Sequence, residues 1–361
     1  MAGHRMYISV RLRSHDRVLA LLSSTSLAVD NADSLVPGKA PEPPETNKAL
    51  ASDDRKIGDQ PLDRFWRKCY AMFRSRRMQH NRHLWPYVSI GRDDQGAINT
   101  FSAFGRQVAL TPLHQAFRER HDTVHMILSG PSVGEIQYDR LPIQAAMGVN
   151  GSISLARQFD IPFKYYCVID QNFVRGRIDL MRDVVARDLT LFVTPDVLRY
   201  MVQGLPPEHY RCRVCVVELV SERAFLPHSR PEELTALAQS NPAMSVFDAQ
   251  RSLGYSFDLA HGVFDADTVA YAALQILVAG GVDHIYMHGL DLGFSGARRF
   301  YNEAQPENSR LVRNFDRLIE PSFSQAAALL KARGVRLFNL SMNSALSDRV
   351  IPKIDWRTLV S

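Results

Sequence analysis

From about Thr123 onward, apolar residues fall into short runs closed by Gly, Ser, Asn or Asp. The first run, Thr123-Val-His-Met-Ile-Leu128, ends in Ser129-Gly130-Pro131-Ser132. Short apolar runs closed by turn residues predict buried strands. The same reading places strands at 165–169, 190–193, 213–217, 284–287 and 335–340. Longer stretches between them predict helices, most clearly over 266–279 and 322–333. Strands alternating with helices predict βαβ units and a mostly parallel, Rossmann-like α/β sheet.

The N-terminal third breaks this pattern. Residues 1–60 carry Pro37, Pro41, Pro43 and Pro44 among Ser, Asp, Lys and Glu, with almost no aromatic residue after Tyr7. Too little apolar surface is present to offset the entropy of ordering, so a disordered tail is expected. Residues 61–120 form a basic, aromatic extension that includes Arg64, Phe65, Trp66, Lys68, Phe73, Arg76, Arg82 and Trp85. The first reading is a helix whose Phe65, Cys69, Met72 and Phe73 pack on the core. The second is a segment lying on an anionic membrane surface, with arginines at the headgroups and rings at the interface. Residues 121–361 are expected to form the ligand-binding domain.

Composition narrows the class. Hydrophobic residues at 45% and charged residues at 22% are globular values. The net charge of +5 suits an anionic partner, but no recognised nucleic-acid module accompanies the basic segment, so nucleic acid is not the expected partner. Four cysteines are too few for a disulfide framework. Val18-Leu-Ala-Leu-Leu22 is too short for a signal-peptide core, and no apolar run is long enough for a membrane span. A cytoplasmic protein is expected, peripheral at the inner membrane if the basic segment lies on a membrane surface.

In open parallel sheets, ligands bind at the carboxyl ends of the strands. Just past its strands the chain offers Ser129-Gly130-Pro131-Ser132, Gly148-Val149-Asn150-Gly151-Ser152, Asp170-Gln171-Asn172, His288-Gly289-Leu290-Asp291 and Asn343-Ser344. Glycines there let a ligand approach the backbone, and small polar side chains hydrogen-bond a ribose or base. A nucleotide-type ligand is therefore expected, although neither a Walker A nor a Gly-x-Gly-x-x-Gly motif is present.

No metal site is expected. Cys212-Arg-Val-Cys215 lacks a second ligand pair. His121, His125, His284 and His288 read as structural histidines. Asp265-Ala266-Asp267 sits where it would open a helix and serve its capping. Arg298, Arg299 and Tyr301 read as a basic lid over an anionic substrate.

Taken in order, Leu128-Ser-Gly-Pro-Ser132, Val149-Asn-Gly-Ser152, Ala260-His-Gly-Val-Phe264, Gly281-Val-Asp-His-Ile-Tyr-Met-His-Gly-Leu-Asp291 and Gly334-Val-Arg-Leu-Phe-Asn-Leu-Ser-Met-Asn-Ser344 resemble a known set of motifs. They are similar to those of bacterial sialyltransferases that use CMP-sialic acid, and of related lipopolysaccharide-core proteins proposed to transfer a third 3-deoxy-octulosonic acid (Kdo). The resemblance covers roughly residues 123–355. It implies a variant glycosyltransferase type A fold with a small lid, a CMP-activated ulosonic acid as donor, no required cofactor, and inversion onto a lipopolysaccharide-core acceptor. Kdo is the expected sugar, ahead of sialic acid.

By position, the resemblance puts Ser129, Gly130, Pro131, Ser132, Asn150, Asp170, Asn172, Gly262, Asp291 and Tyr301 at the donor. Ser129 stands where the family has Asn. The family's catalytic histidine ahead of the last long helix is missing, which leaves Glu320 as the nearby proton acceptor and His261 as its competitor. Two other readings stay open: a pyrophosphokinase-like nucleotide enzyme, and a non-catalytic binding protein on the same fold.

Overall fold

The computed structural model describes residues 56–293 and 313–360. The expected tail lies outside them except for 56–60, and some of those residues bond to the folded chain. The Ile57 N–H donates to the Arg175 carbonyl at 2.9 Å, and Asp59 accepts from Arg67 and Arg175. Ile57 and Asp59 are therefore tied to the folded chain.

Helix α1 (Asp63–Phe73) and a 3₁₀ helix (Arg76–His83) lead into three antiparallel strands, β1 (Val88–Arg92), β2 (Ile98–Ala103) and β3 (Arg106–Val108). The α/β pattern then begins with β4 (Thr123–Ile127), β5 (Ala146–Val149) and β6 (Phe163–Val168). It continues through α2 (Gln171–Gly176), α3 (Ile178–Val185), β7 (Thr190–Val193), α4 (Pro195–Gly204) and β8 (Arg213–Val216). After α5 (Pro231–Ser240) comes a small hairpin of β9 (Met244–Asp248) and β10 (Leu253–Ser256). Helix α6 (Val269–Ala279), β11 (His284–His288), α7 (Glu320–Ala332) and β12 (Arg336–Asn339) complete the fold.

The main sheet has seven parallel strands in the order β12-β11-β4-β5-β6-β7-β8. Both its faces are covered, so its strands are apolar on both sides. Alternate residues feed two cores. Ile127, Tyr166, Val168, Leu191 and Val214 pack with α3, α4 and the three-stranded sheet; Met126, Cys167, Phe192, Cys215 and Met287 pack with α6 and α7. Cys212 and Cys215 fall into opposite cores, so the spacing that suggests a metal pair is only strand alternation. Burial pushes both thiols up to about 12.

Residues 61–120 share the first core with the parallel sheet, and two buried carboxylates join them to it. Asp63 accepts from Arg199 of α4 at 3.0 and 3.1 Å, and the Arg199 guanidinium lies over Tyr87, Phe104 and Tyr200. Glu218, just beyond β8, accepts from Arg92 of β1 at 2.5 and 2.8 Å and from Arg223. These polar ties change the reading of α1. Asp63 and Tyr70 are its buried residues, whereas Phe65, Met72 and Phe73 are 55%, 77% and 81% exposed. The apolar side chains expected on the core face outward.

Asp265-Ala266-Asp267 does not cap α6. The three residues form a turn ahead of it, with Ala266 at φ 44° and Asp267 at φ 58°, and Thr268 is the N-cap. No described helix is long and apolar enough to cross a membrane.

Candidate functional site

The chain leaves β4 for β5 on one side and returns through β11 on the other. The strand order therefore reverses between β4 and β11, which opens a crevice beyond their carboxyl ends. Ser129–Ser132 and Gly289–Asp291 border it. They close on each other: the Ser132 N–H donates to Asp291 Oδ2 at 3.1 Å, and the Gly130 N–H donates to the Gly289 carbonyl at 3.2 Å. A Cβ at Gly130 would collide with Asp291 Oδ2 and with the Gly289 carbonyl, so only glycine fits there. Pro131 then starts a short 3₁₀ helix, its fixed φ suiting the first position.

The turn after β12 joins them. Ser341 Oγ lies 2.7 Å from Ser132 Oγ, Ser344 Oγ donates to the Leu290 carbonyl at 2.5 Å, and the Ala345 N–H donates to the Asp291 carbonyl. The sequence reading pointed to Ser344 and missed Ser341. Three strand ends thus form one hydrogen-bonded floor containing Ser129, Gly130, Pro131, Ser132 and Asp291.

Asn150 follows β5. It is buried, holds φ 45°, and its side-chain Oδ1 has no hydrogen-bond partner. Its carbonyl accepts from the Tyr166 hydroxyl at 2.6 Å, and that hydroxyl also accepts from the Ile153 N–H, which fixes the turn. Asn tolerates the left-handed region better than most residues. A buried amide oxygen left unpaired costs about 1–3 kcal/mol until something donates to it.

After β6, Asp170 caps α2 by accepting the Asn172 N–H at 2.8 Å, and Asn172 itself is exposed. Gln171 Oε1, between them, is buried without a partner, and so is Asp196 Oδ1 in the first turn of α4 after β7. Sequence reasoning took Gln171 only as part of the Asp170-Gln171-Asn172 turn and passed over Asp196, although Asp196 lies just past the strand expected at 190–193 and so carries the same strand-end signal as the other turns.

His261 and Gly262 lie against the end of β8. Gly262, at φ 110°, packs so closely on Glu218 that an added Cβ would meet its carbonyl at 2.6 Å. His261 Nδ1 donates to Asp258 Oδ2 at 2.6 Å, and Asp258 also accepts from Asn241 and the Ala260 N–H. Those donors hold the Asp258 carboxyl below its ordinary range despite its burial. The pairing fixes the imidazole tautomer and leaves Nε2 as the basic nitrogen.

Glu320 opens α7 behind a π-helical turn, Phe315–Ile319. Ser324 of its own helix donates to Glu320 Oε1 at 2.6 Å. Leu318, in that π turn, lines a small cavity with Ser221 and Asp265 beyond the end of β8. Tyr301, with Arg298 and Arg299, lies outside the described residues. Among the described residues, no group of three or more His, Cys, Asp or Glu side chains converges as metal ligands. His125 and His288 pair with each other inside the sheet instead.

Among solved structures, the chain is similar to the α-2,3-sialyltransferase Cst-I of Campylobacter jejuni, with 15% identity, 64% of this chain and 80% of that chain covered, and a TM-score of 0.34. It is also similar to the sialyltransferase CstII of the same organism in complex with cytidine-5'-monophosphate, with 14% identity, 67% and 88% covered, and a TM-score of 0.32. A protein of Escherichia coli strain K12, "Probable 3-deoxy-manno-octulosonic acid transferase", is 26% identical over 242 residues, 64% of this chain and 82% of that one. Residues 110–357 match the family model described as "3-deoxy-D-manno-octulosonic acid transferase WaaZ". That match spans more than half of the sequence and takes in every described strand-end turn of the crevice, and by it the chain belongs to this family of glycosyltransferases.

Proposed function

We propose that the protein transfers 3-deoxy-D-manno-octulosonic acid from its CMP ester to a hydroxyl of a lipopolysaccharide-core acceptor, with inversion, while resting on the inner-membrane surface. The carrying observation is the crevice at the strand-order reversal, floored by the closed turns after β4, β11 and β12 and bordered by the unpaired Asn150 oxygen. Backbone groups and small hydroxyls at such an edge suit a nucleotide, and the Asp291 carboxylate suits ribose hydroxyls rather than phosphate.

In the step itself, the acceptor oxygen attacks the anomeric carbon, the bond from that carbon to the phosphate oxygen breaks, and CMP leaves with the electron pair. The acceptor's proton goes to a base. We assign that role to His261, whose imidazole is oriented by Asp258. Glu320 is the second candidate, and its carboxylate already accepts from Ser324.

Support for membrane contact comes from α1. Leu62, Phe65, Met72 and Phe73 form one exposed apolar stripe on a helix that also exposes Arg64 and Lys68.

Thermal shift with CMP, UDP, GDP and ATP tests the donor. At 100 times its dissociation constant, a ligand binding only the folded state stabilises it by about 2.7 kcal/mol. CMP is expected to give the largest shift, and release of CMP from the CMP sugar should require a core acceptor. Equal shifts from UDP or GDP would reject the cytidine assignment.

A further inference from the structure

The 3₁₀ helix Arg76–His83 lies across the edge where β6, β7 and β8 end. Arg77 Nε donates to the His228 carbonyl at 2.8 Å, and buried Asn81 bonds the Phe225 N–H and the Leu226 carbonyl. Between this helix and the strand ends is a cleft of about 650 Å³, a volume typical of small-molecule sites.

Its two sides differ in chemistry. Arg76 and Arg82 line one side, exposed and without a salt bridge to any described carboxylate. His83 joins them, its imidazole held down to about 4 by burial and by the charges of Arg67, Arg82 and Arg199. Gln171 and Asp196 line the other, each with a buried side-chain oxygen lacking a hydrogen-bond partner. Burial, with the charge of Glu222 added, raises the Asp196 carboxyl to about 7.

Unpaired oxygens call for hydroxyl donors, and guanidinium groups with no carboxylate partner, Arg82 donating only to His83 Nε2, call for a carboxylate or a phosphate. One ligand class carries both. We propose that this cleft is the acceptor subsite and takes an anionic sugar, its acidic group on Arg76 and Arg82 and its hydroxyls on Gln171 and Asp196. The inference rests on the glycosyl-transfer reading and extends it. Three strand spacings separate β4 from β7, roughly 15 Å, so a donor in the crevice and an acceptor in this cleft would occupy the same edge of the sheet.

Ligand-observed NMR titration of the full chain, with CMP present, tests it. The probes are 3-deoxy-D-manno-octulosonic acid for a carboxylate, glucose 6-phosphate for a phosphate, and glucose as the neutral control. At least one acidic sugar should bind and glucose should not; which one binds identifies the acidic group. R76A/R82A, at two exposed positions, should weaken that binding at least tenfold with CMP affinity unchanged, and Gln171→Ala should weaken it less. Binding of glucose equal to that of the acidic sugars, or acidic-sugar binding unchanged in R76A/R82A, overturns the proposal. Absence of CMP binding in the unmodified protein is a separate result and counts against the donor reading alone.

Discussion

His125 Nδ1 and His288 Nε2 meet at 2.9 Å inside the sheet, stacked between Tyr286 and Tyr138. Burial holds the His125 imidazole down to about 4 from 6.5, and His288 falls well below its ordinary value. The unfolded chain therefore takes up protons at these rings before the folded chain does. Stability should fall as pH drops from 6.5 towards 4. Urea denaturation across that window should show the decline, and His125→Asn should flatten it even if the variant is weaker overall; a level profile in the unmodified protein would remove this role. The second residue-scale prediction concerns the base. His261→Ala should lower turnover by about 10²–10⁴-fold while CMP affinity barely changes, and Glu320→Gln should stay near normal. The reverse pattern would move the role to Glu320. Asp258 favours His261: a carboxylate on Nδ1 leaves Nε2 to accept a proton, whereas the Glu320 carboxylate already accepts from Ser324.

At the scale of elements, α1 is held by ionic and hydrogen-bonded contacts on one side and leaves its apolar stripe outside. A core helix would do the opposite. Sequence alone favoured the core reading, because Phe65, Cys69, Met72 and Phe73 share a helical face whether that face meets protein or lipid. The deciding feature is the buried Asp63–Arg199 pair, which turns that face outward. If the stripe meets a membrane, replacing Phe65, Met72 and Phe73 by Ser should abolish flotation with anionic vesicles and leave the melting temperature almost unchanged, since the side chains are already exposed. A large loss of stability in the triple variant would show that these side chains pack on the protein.

At the scale of the whole molecule, residues 56–60 make contacts with the folded chain that their composition does not suggest. Ile57 packs against Gly204 and Ile178, and Asp59 bridges Arg67 and Arg175. Removing residues 1–60 should therefore lower the melting temperature by a few degrees relative to removing 1–55, on the basis of about 1 kcal/mol for one half-buried apolar side chain and its neighbouring ion pairs. Equal melting temperatures would show those contacts to be idle. The sequence by itself determined the parallel α/β class and the positions of six strands of the main sheet, because a strand buried on both faces must be apolar throughout and must end in turn residues. It also pointed to most of the strand-end turns that border the crevice, since glycine and small polar groups at strand ends are local signals. The β1–β3 sheet escaped it, being short, partly exposed and without a clear alternation. Only the tertiary structure decided which turns meet. The order in which parallel strands lie side by side is set by packing between distant segments, and that order brings Ser132, Asp291 and Ser341 to one crevice. The same packing lays Arg76–His83 over Gln171 and Asp196, a juxtaposition that no local run of residues encodes.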